Sequence, residues 1–327
     1  MNGSQARVVI TDYTFPSLDI EHEVLSPLEA AIEAHQCQDE DEVVAVVRGA
    51  NVVMAQFAPI GRRAIEALSK DATIVRYGVG VDNIDLQAAR ELGVAVAYVP
   101  DYCVDEVADH TVALLLALLR KIKVFDQGVR SGGWDPVGLA KPLPPFGGST
   151  IGFVGLGRIG RAVLDRLRPF GFSFTVYDPF LSSEEAEELN VDLVDLQPLL
   201  MEVDGLSLHV PLTPQTRHLL NEKRLGLMKP TAVVVNTARG GLIDADALAQ
   251  ALRTGKLGAA ALDVFEDEPL PTASPLRDIE HIFLSPHAAW YSESSLPRLQ
   301  RLAAEEAARA LRDEPLRCPI EREEVGR

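Results

Sequence analysis

Ile151-Gly152-Phe153-Val154-Gly155-Leu156-Gly157-Arg158-Ile159-Gly160 is the stretch whose reading decides the fold. A short apolar run ends on Gly155, glycines follow at 157 and 160, and Ile159, Val163 and Leu167 then recur every four residues, as on one face of a helix. The pattern predicts a strand, a tight turn and a helix. A dinucleotide pyrophosphate can rest on the unpaired N–H groups at the start of such a helix only if no Cβ blocks the backbone there. Gly155 would make the turn, Gly157 would allow close approach, and Gly160 would let helix and strand pack.

The next apolar run, Phe174-Thr175-Val176-Tyr177, ends in Asp178, 18 residues beyond Gly160. A carboxylate there accepts both ribose hydroxyls of an adenosine and repels a 2′-phosphate, so the expected cofactor is NAD rather than NADP.

The chain has 327 residues, 47% of them hydrophobic and 24% charged, enough for two self-sufficient cores. Its formal charge of −17 argues against nucleic acid or an anionic membrane as a partner, since phosphate would be repelled from most directions. The first residues carry no charged start followed by an apolar run, so no signal peptide is expected. The longest apolar run, 112–119, is too short to span a bilayer. Cys37, Cys103 and Cys318 are far apart, suggesting neither a disulfide framework nor a metal site, and the setting expected is cytoplasmic. Asn2-Gly3-Ser4 has the form of a glycosylation sequon and reads as chance without an export signal.

In chain order, 7–11 reads as a first strand, 25–34 as a first helix, and 43–47, 52–55 and 73–77 as further strands. Such alternation predicts a parallel sheet with helices on its faces. Gly78-Val79-Gly80-Val81-Asp82-Asn83-Ile84-Asp85 follows a strand directly. Its free N–H groups at Val79 and Gly80 would suit a carboxylate, and an ordinary strand-to-helix turn capped by Asp82 or Asn83 explains it equally well. A strand at 94–100 and one long helix over 105–121 follow. A Gly- and Pro-rich connection over 132–148 gives the clearest boundary signal. Past Asp178, strands are expected at 206–210, 232–236, 259–263 and 281–284, with a helix over 245–253. A charged amphipathic helix over 292–312 is expected to return to the first domain. The acidic 321–324 tail reads as solvated.

Three strand ends carry polar groups that could converge. Asn236-Thr237-Ala238-Arg239-Gly240-Gly241 presents a guanidinium fork suited to a carboxylate, or a surface arginine in a turn. Asp263-Val264-Phe265-Glu266-Asp267-Glu268-Pro269 presents several acids. Ser285-Pro286-His287 presents a histidine, the natural proton carrier near neutral pH, which one of the acids could hold.

These stretches and the glycine-rich turn, four motifs in fixed order, resemble the NAD-dependent D-isomer-specific 2-hydroxyacid dehydrogenases. The resemblance runs over 104–290, takes in 78–85, and is loose over the first seventy residues. Within the family, His287-Ala288-Ala289-Trp290-Tyr291-Ser292-Glu293 looks most like the C-terminal-binding proteins, with phosphoglycerate dehydrogenases and glyoxylate/hydroxypyruvate reductases next. It implies a Rossmann-type cofactor domain, 104–291, inserted in a flavodoxin-like substrate domain made of 1–103 and 292–327, and a homodimer.

The resemblance also implies roles. Arg239, Glu268 and His287 would be the catalytic set: His287 passes a proton to or from the substrate oxygen, Glu268 stabilises its imidazolium, and Arg239 grips the carboxylate. Glu268 is chosen among the acids only by its place before Pro269. Asp263 is expected by the nicotinamide amide. Thr111, His209, Val210, Pro211, Thr213, Thr237, Ala238 and Ala289 are expected by the cofactor, beside Gly155, Gly157, Arg158, Ile159, Gly160 and Asp178. His209, a rival to His287, is better read as cofactor-adjacent or structural. His110 is expected to cap or pack at the domain junction. Arg76, Val79, Gly80 and Trp290 are expected by the substrate, Trp290 reading equally as core packing or as an aromatic wall. The function implied is interconversion of a D-2-hydroxy acid and its 2-keto acid; the alternative is an NAD(H)-sensing, corepressor-like interaction protein. No metal is expected.

Overall fold

The computed structural model describes residues 5–320; the sequon at 2–4 and the acidic tail at 321–324 lie outside the described residues. The chain opens with β1 (Arg7–Ile10), α1 (Asp19–Leu25), β2 (Ala31–Ala34), α2 (Glu40–Val47), β3 (Val52–Ala55), α3 (Arg62–Glu66), β4 (Thr73–Arg76), α4 (Leu86–Leu92) and β5 (Ala95–Ala97). Three helices follow: α5 (Val104–Leu119), α6 (Ile122–Arg130) and α7 (Pro136–Ala140). Next come β6 (Thr150–Val154), α8 (Arg158–Leu167), β7 (Ser173–Tyr177), α9 (Ser183–Glu188), β8 (Asp192–Leu193), α10 (Leu196–Glu202) and β9 (Gly205–Leu208). The chain ends with α11 (Glu222–Leu225), β10 (Val233–Asn236), α12 (Ala245–Arg253), β11 (Ala259–Leu262), β12 (Ile282–Leu284) and α13 (Ser295–Leu311).

Two compact units result, one of Met1–Cys103 with Tyr291–Arg327 and one of Val104–Trp290. The first holds a five-stranded sheet of order β2-β1-β3-β4-β5, the flavodoxin-like order. The second holds seven strands, β12-β11-β10-β9-β6-β7-β8, which counted from β6 is the Rossmann order with one extra edge strand. Every pairing between these strands is parallel. Order reverses between β6 and β9, so a crevice is expected beyond their carboxyl ends.

In the first unit, α13 packs against α1, β3 and β4, and Gln300 ties it to α1 by donating to Ser17 O at 2.9 Å and to Glu21 at 3.0 Å. The fully buried Glu21 also accepts from the Tyr77 hydroxyl at 3.1 Å. The second unit is cored by apolar strands such as Val233–Asn236, buried throughout as the strands of a doubly covered parallel sheet must be.

Several elements differ from the sequence reading. The expected helix over 25–34 is instead the end of α1, a 3-10 turn at Ser26–Leu28 and strand β2. Pro27 lacks the N–H needed to extend α1, and Glu29 at φ 53° turns the chain into a half-buried edge strand paired with β1. The expected strand at 43–47 is the end of α2. Asp39 caps that helix by accepting from Glu42 N at 2.9 Å, three acids stabilise its first turn, and Val43 and Val47 bury one face. The long helix over 105–121 stops at Leu119, and Lys121, at φ 53°, starts the separate helix α6. The Gly- and Pro-rich connection holds α7 and lies wholly within the second unit. The expected strand at 94–100 shortens to Ala95–Ala97.

Among the described residues, no helix is long and apolar enough to cross a membrane, and no cluster of His, Cys, Asp and Glu could hold a metal ion. The three cysteines carry free thiols.

Candidate active site

The site grows from the carboxyl ends of β6, β7, β9, β10, β11 and β12, all in the second unit. At the turn from β6 to α8, Gly155 has φ 86°, and a Cβ there would lie 2.7 Å from His209 O. A Cβ on Gly160 would lie 2.9 Å from Gly155 O, so helix and turn pack backbone to backbone. A Cβ on Gly157, by contrast, would point into open space. Gly157 is the N-cap of α8, no side chain caps the helix, and Arg158, Ile159 and Gly160 open its first turn. Unpaired N–H groups beside open space are what a pyrophosphate needs, so the turn fits a dinucleotide. Asp178 follows β7 and braces the turn, accepting from Leu156 N at 2.8 Å and from Phe180 N at 2.9 Å.

His209 follows β9, with its ring 5.9 Å from the Phe153 ring and Nε2 2.8 Å from Ser207 Oγ. Burial lowers its pKa to about 4. A neutral, tethered ring of this kind is a poor proton carrier at pH 7. Val210 packs towards Gly155, and Pro211 O accepts from Thr216 Oγ1 at 2.7 Å. Thr213 joins the same turn, its N–H donating to Thr216 Oγ1 at 2.8 Å.

Beyond β10, the Asn236 side chain accepts from Ala238 N at 3.0 Å and donates to Arg239 O at 2.8 Å, shaping the loop that presents Arg239. The guanidinium donates to Ala238 O at 2.7 Å. Gly240 is obligatory for a steric reason: a Cβ there would collide with the backbone of Phe265 and Glu266. This close approach brings the Arg239 loop against the loop after β11. Thr111, fully buried on α5, donates to Val107 O at 2.7 Å and so accepts from Thr237 Oγ1, also 2.7 Å away.

After β11, Glu268 Oε1 accepts from Phe265 N at 2.9 Å and Oε2 lies 2.7 Å from His287 Nδ1. Burial alone would push the Glu268 carboxyl up; the hydrogen bond and charge of His287, the Phe265 N–H and the charge of Arg239 together hold it below its usual range. Arg239, Glu268 and His287 therefore form one electrostatic group. Nδ1 is thus the ring nitrogen that the carboxylate engages.

His287 itself sits at φ 51°, a strained value for a residue with a Cβ, and its N–H donates to Asp263 O at 2.7 Å. The Asp263 carboxylate, 1% exposed, holds the rest of the loop: it accepts from Ser285 Oγ at 2.6 Å, Ala288 N at 2.8 Å and Ala289 N at 2.9 Å. His110 Nε2 lies 3.2 Å from Ser285 Oγ. The bracing roles of Ser285, Ala288 and Gly240 are not marked by any motif in the sequence. Register carries part of the signal, because Leu262 pairs with Leu284 and the next residues on each strand are Asp263 and Ser285. Trp290, half-buried, ends the unit.

On the first unit, Arg76 closes β4; its guanidinium folds over the space where a Cβ of Gly78 would be and donates to Tyr77 O. Val79 and Gly80 follow, partly exposed. An apolar cavity of about 320 Å³ in the second unit lies at the other end of its sheet, against Val233, Ala259 and Phe283, and belongs to neither site.

A Rossmann sheet, an uncapped glycine turn, an acid closing the second strand and a carboxylate-braced histidine define a dinucleotide-dependent α/β protein. Residues 112–289 match the family described as D-isomer specific 2-hydroxyacid dehydrogenase, NAD binding domain. The chain is 40% identical to D-3-phosphoglycerate dehydrogenase of Methanocaldococcus jannaschii over 277 residues, 84% of this chain and 52% of that protein, so it spans about half of that relative's length. It is 41% identical to glyoxylate reductase of Korarchaeum cryptofilum over 251 residues, 76% of this chain and 75% of that protein. The crystal structure of D-lactate dehydrogenase from Aquifex aeolicus, complexed with NAD and lactic acid, is similar with a TM-score of 0.85 at 27% identity, covering 94% of this chain and 96% of that one. The chain belongs to the D-isomer-specific 2-hydroxyacid dehydrogenase family, and its second unit is an NAD-binding domain.

Proposed function

We propose that this protein interconverts a D-2-hydroxy acid and its 2-oxo acid with NAD(H), in a cytoplasmic setting. The observation that carries the reading is the 2.7 Å pair of His287 Nδ1 and Glu268 Oε2, with the Arg239 charge acting on the same carboxylate. Bound NAD(H) supplies hydride transfer to or from C2 of the substrate. In reduction, the proton on His287 Nε2 passes to the substrate oxygen; in oxidation, neutral Nε2 takes it back. Glu268 holds the ring through Nδ1 and stabilises the imidazolium. Arg239 pairs with the α-carboxylate and orients the carbonyl. On the first unit, Val79 and Gly80 supply further carboxylate contacts in the same proposal, while Arg76 is turned back onto Tyr77 O.

His287→Ala is expected to lower kcat with 2-oxo acids by about 10²–10⁴. NADH affinity, read by fluorescence titration, should be unchanged. Full activity in the variant would remove His287 from the reaction. A homodimer is part of the proposal: Trp134 at 86% exposure, with Ile122, Val129 and Val137, gives α6, α7 and their connection an apolar surface that a second copy would cover, which light scattering reads. The alternative, an NAD(H)-sensing interaction protein like the C-terminal-binding proteins, rests on the 287–293 stretch. A pull-down with and without NAD, set beside the turnover assay, separates the two.

A further inference from the structure

The carboxyl edge of the first unit's sheet is built from five loops, 11–18, 35–39, 56–61, 77–85 and 98–103. Together they contain no lysine and no arginine, but five aspartates and six aromatic residues. Cations brought to this edge by other elements are already engaged. Arg76 bends back onto Tyr77 O, Arg298 donates to Tyr102 O at 2.8 Å, and Arg317 forms a bidentate pair with Asp101 at 2.8 and 3.0 Å. His35 turns towards Glu33, 3.9 Å away.

The rim is also rigid. Buried Asp12 accepts from Gln56 N at 2.9 Å and Phe57 N at 2.5 Å, which fixes the backbone after β3. Gln56 Oε1 accepts from Thr14 N at 2.7 Å, locking that loop to the one after β1. Phe15 packs edge-on against Tyr77 at 5.0 Å between ring centroids, locking in the loop that carries Val79 and Gly80. From this fixed backbone the Phe57 ring projects, 48% exposed. Nearly half of a large apolar ring is thus accessible on a braced loop.

We propose that the first unit selects 2-oxo acids whose substituent is small or apolar and uncharged, rejects those carrying a second anion, and uses Phe57 as the specificity-determining residue. The inference rests on the function proposed above, which seats the substrate carboxylate at Val79 and Gly80 on the same rim. A phosphate or second carboxylate extending from that point meets aromatic rings, and none of the five loops offers it a guanidinium or ammonium to replace its water. An apolar substituent instead gains contact with the rings.

The test is NADH oxidation by the full chain with pyruvate, 4-methyl-2-oxopentanoate, phenylpyruvate, 2-oxoglutarate and 3-phosphohydroxypyruvate, repeated with Phe57→Arg and Phe57→Ala. The wild type is expected to use at least one uncharged acid with kcat/KM about 100-fold or more above either anionic one. Phe57→Arg should narrow that ratio about tenfold by raising kcat/KM for the anionic acids, and Phe57→Ala should shift preference among the uncharged acids through KM, both with NADH affinity unchanged. A wild type that prefers 3-phosphohydroxypyruvate or 2-oxoglutarate overturns this inference and leaves the dehydrogenase reading standing. Unchanged ratios in both variants overturn the role of Phe57. No turnover of any acid overturns both readings together.

Discussion

His287 is held by its backbone as much as by its ring. Its positive φ is maintained because Asp263 takes the N–H at its carbonyl and the next two amides at its carboxylate, and Glu268 then takes Nδ1. In the proposed reaction the Glu268 charge acts on proton transfer, while its place in the loop is set by the Phe265 N–H. Glu268→Gln keeps the size and a hydrogen bond and removes the charge, so kcat for 2-oxo acid reduction should fall about 10- to 100-fold. NADH affinity should stay within about twofold; an equal loss in both would make Glu268 a scaffold residue. His209 makes a different prediction. Its folded pKa of about 4 lies below the value of about 6.5 expected of an unfolded histidine. Between those values the unfolded chain binds the extra proton, so stability rises with pH through the window and is lost as pH falls from 6.5 towards 4. The loss attributable to His209 between pH 7 and pH 5 is about 2 kcal/mol. Urea unfolding at the two pH values should show the fall reduced by that amount in His209→Gln; an identical fall would place the acid sensitivity elsewhere.

At the scale of elements, the turn between β6 and α8 separates what the chain announces from what it hides. The glycine spacing, the four-residue apolar recurrence and the acid closing β7 are local signals, and each is where the local pattern puts it. Strands β9 to β12 were legible for the same reason, as short apolar runs closed by polar residues. The run at 43–47 was not, because valines suit either element and the arbiter is an acidic cap outside the run, at Asp39. The edge strand β2 was hidden because Ala31–Ala34 alternates weakly and gains its identity only by pairing with β1. In the site, chemically distinctive side chains could be picked out, whereas the bracing by Asp263 and the contact at Gly240 exist only once two loops meet. Asp178 shows both kinds of role, since it braces Leu156 N within the turn and is the acid proposed for the ribose. Asp178→Ser should weaken NADH binding about 10- to 100-fold, by loss of a charged hydrogen-bond acceptor, and leave NADPH binding unchanged or improved. Titration with both nucleotides reads this, and an equal loss for both would assign Asp178 to the turn alone.

At the scale of the whole molecule, one chain carries two parallel sheets, the second encoded as an uninterrupted segment inside the first. The insertion is visible in sequence only through α13, a helix surplus to the Rossmann order whose apolar face the first unit's sheet and α1 cover. Each unit has its own core, and the residues that fit the dinucleotide belong to the second. Ligand binding stabilises what it binds, by about 2.7 kcal/mol at a concentration 100 times Kd. Hydrogen exchange measured with NADH at that excess should therefore slow the core amides of β6, β9 and β10 by up to about 100-fold. If the units open separately, β1, β3 and β4 keep their own rates. Equal slowing in both sheets would mean that the chain opens as one cooperative body, so that the stability supplied at the glycine turn reaches the loop at Val79 and Gly80 as well.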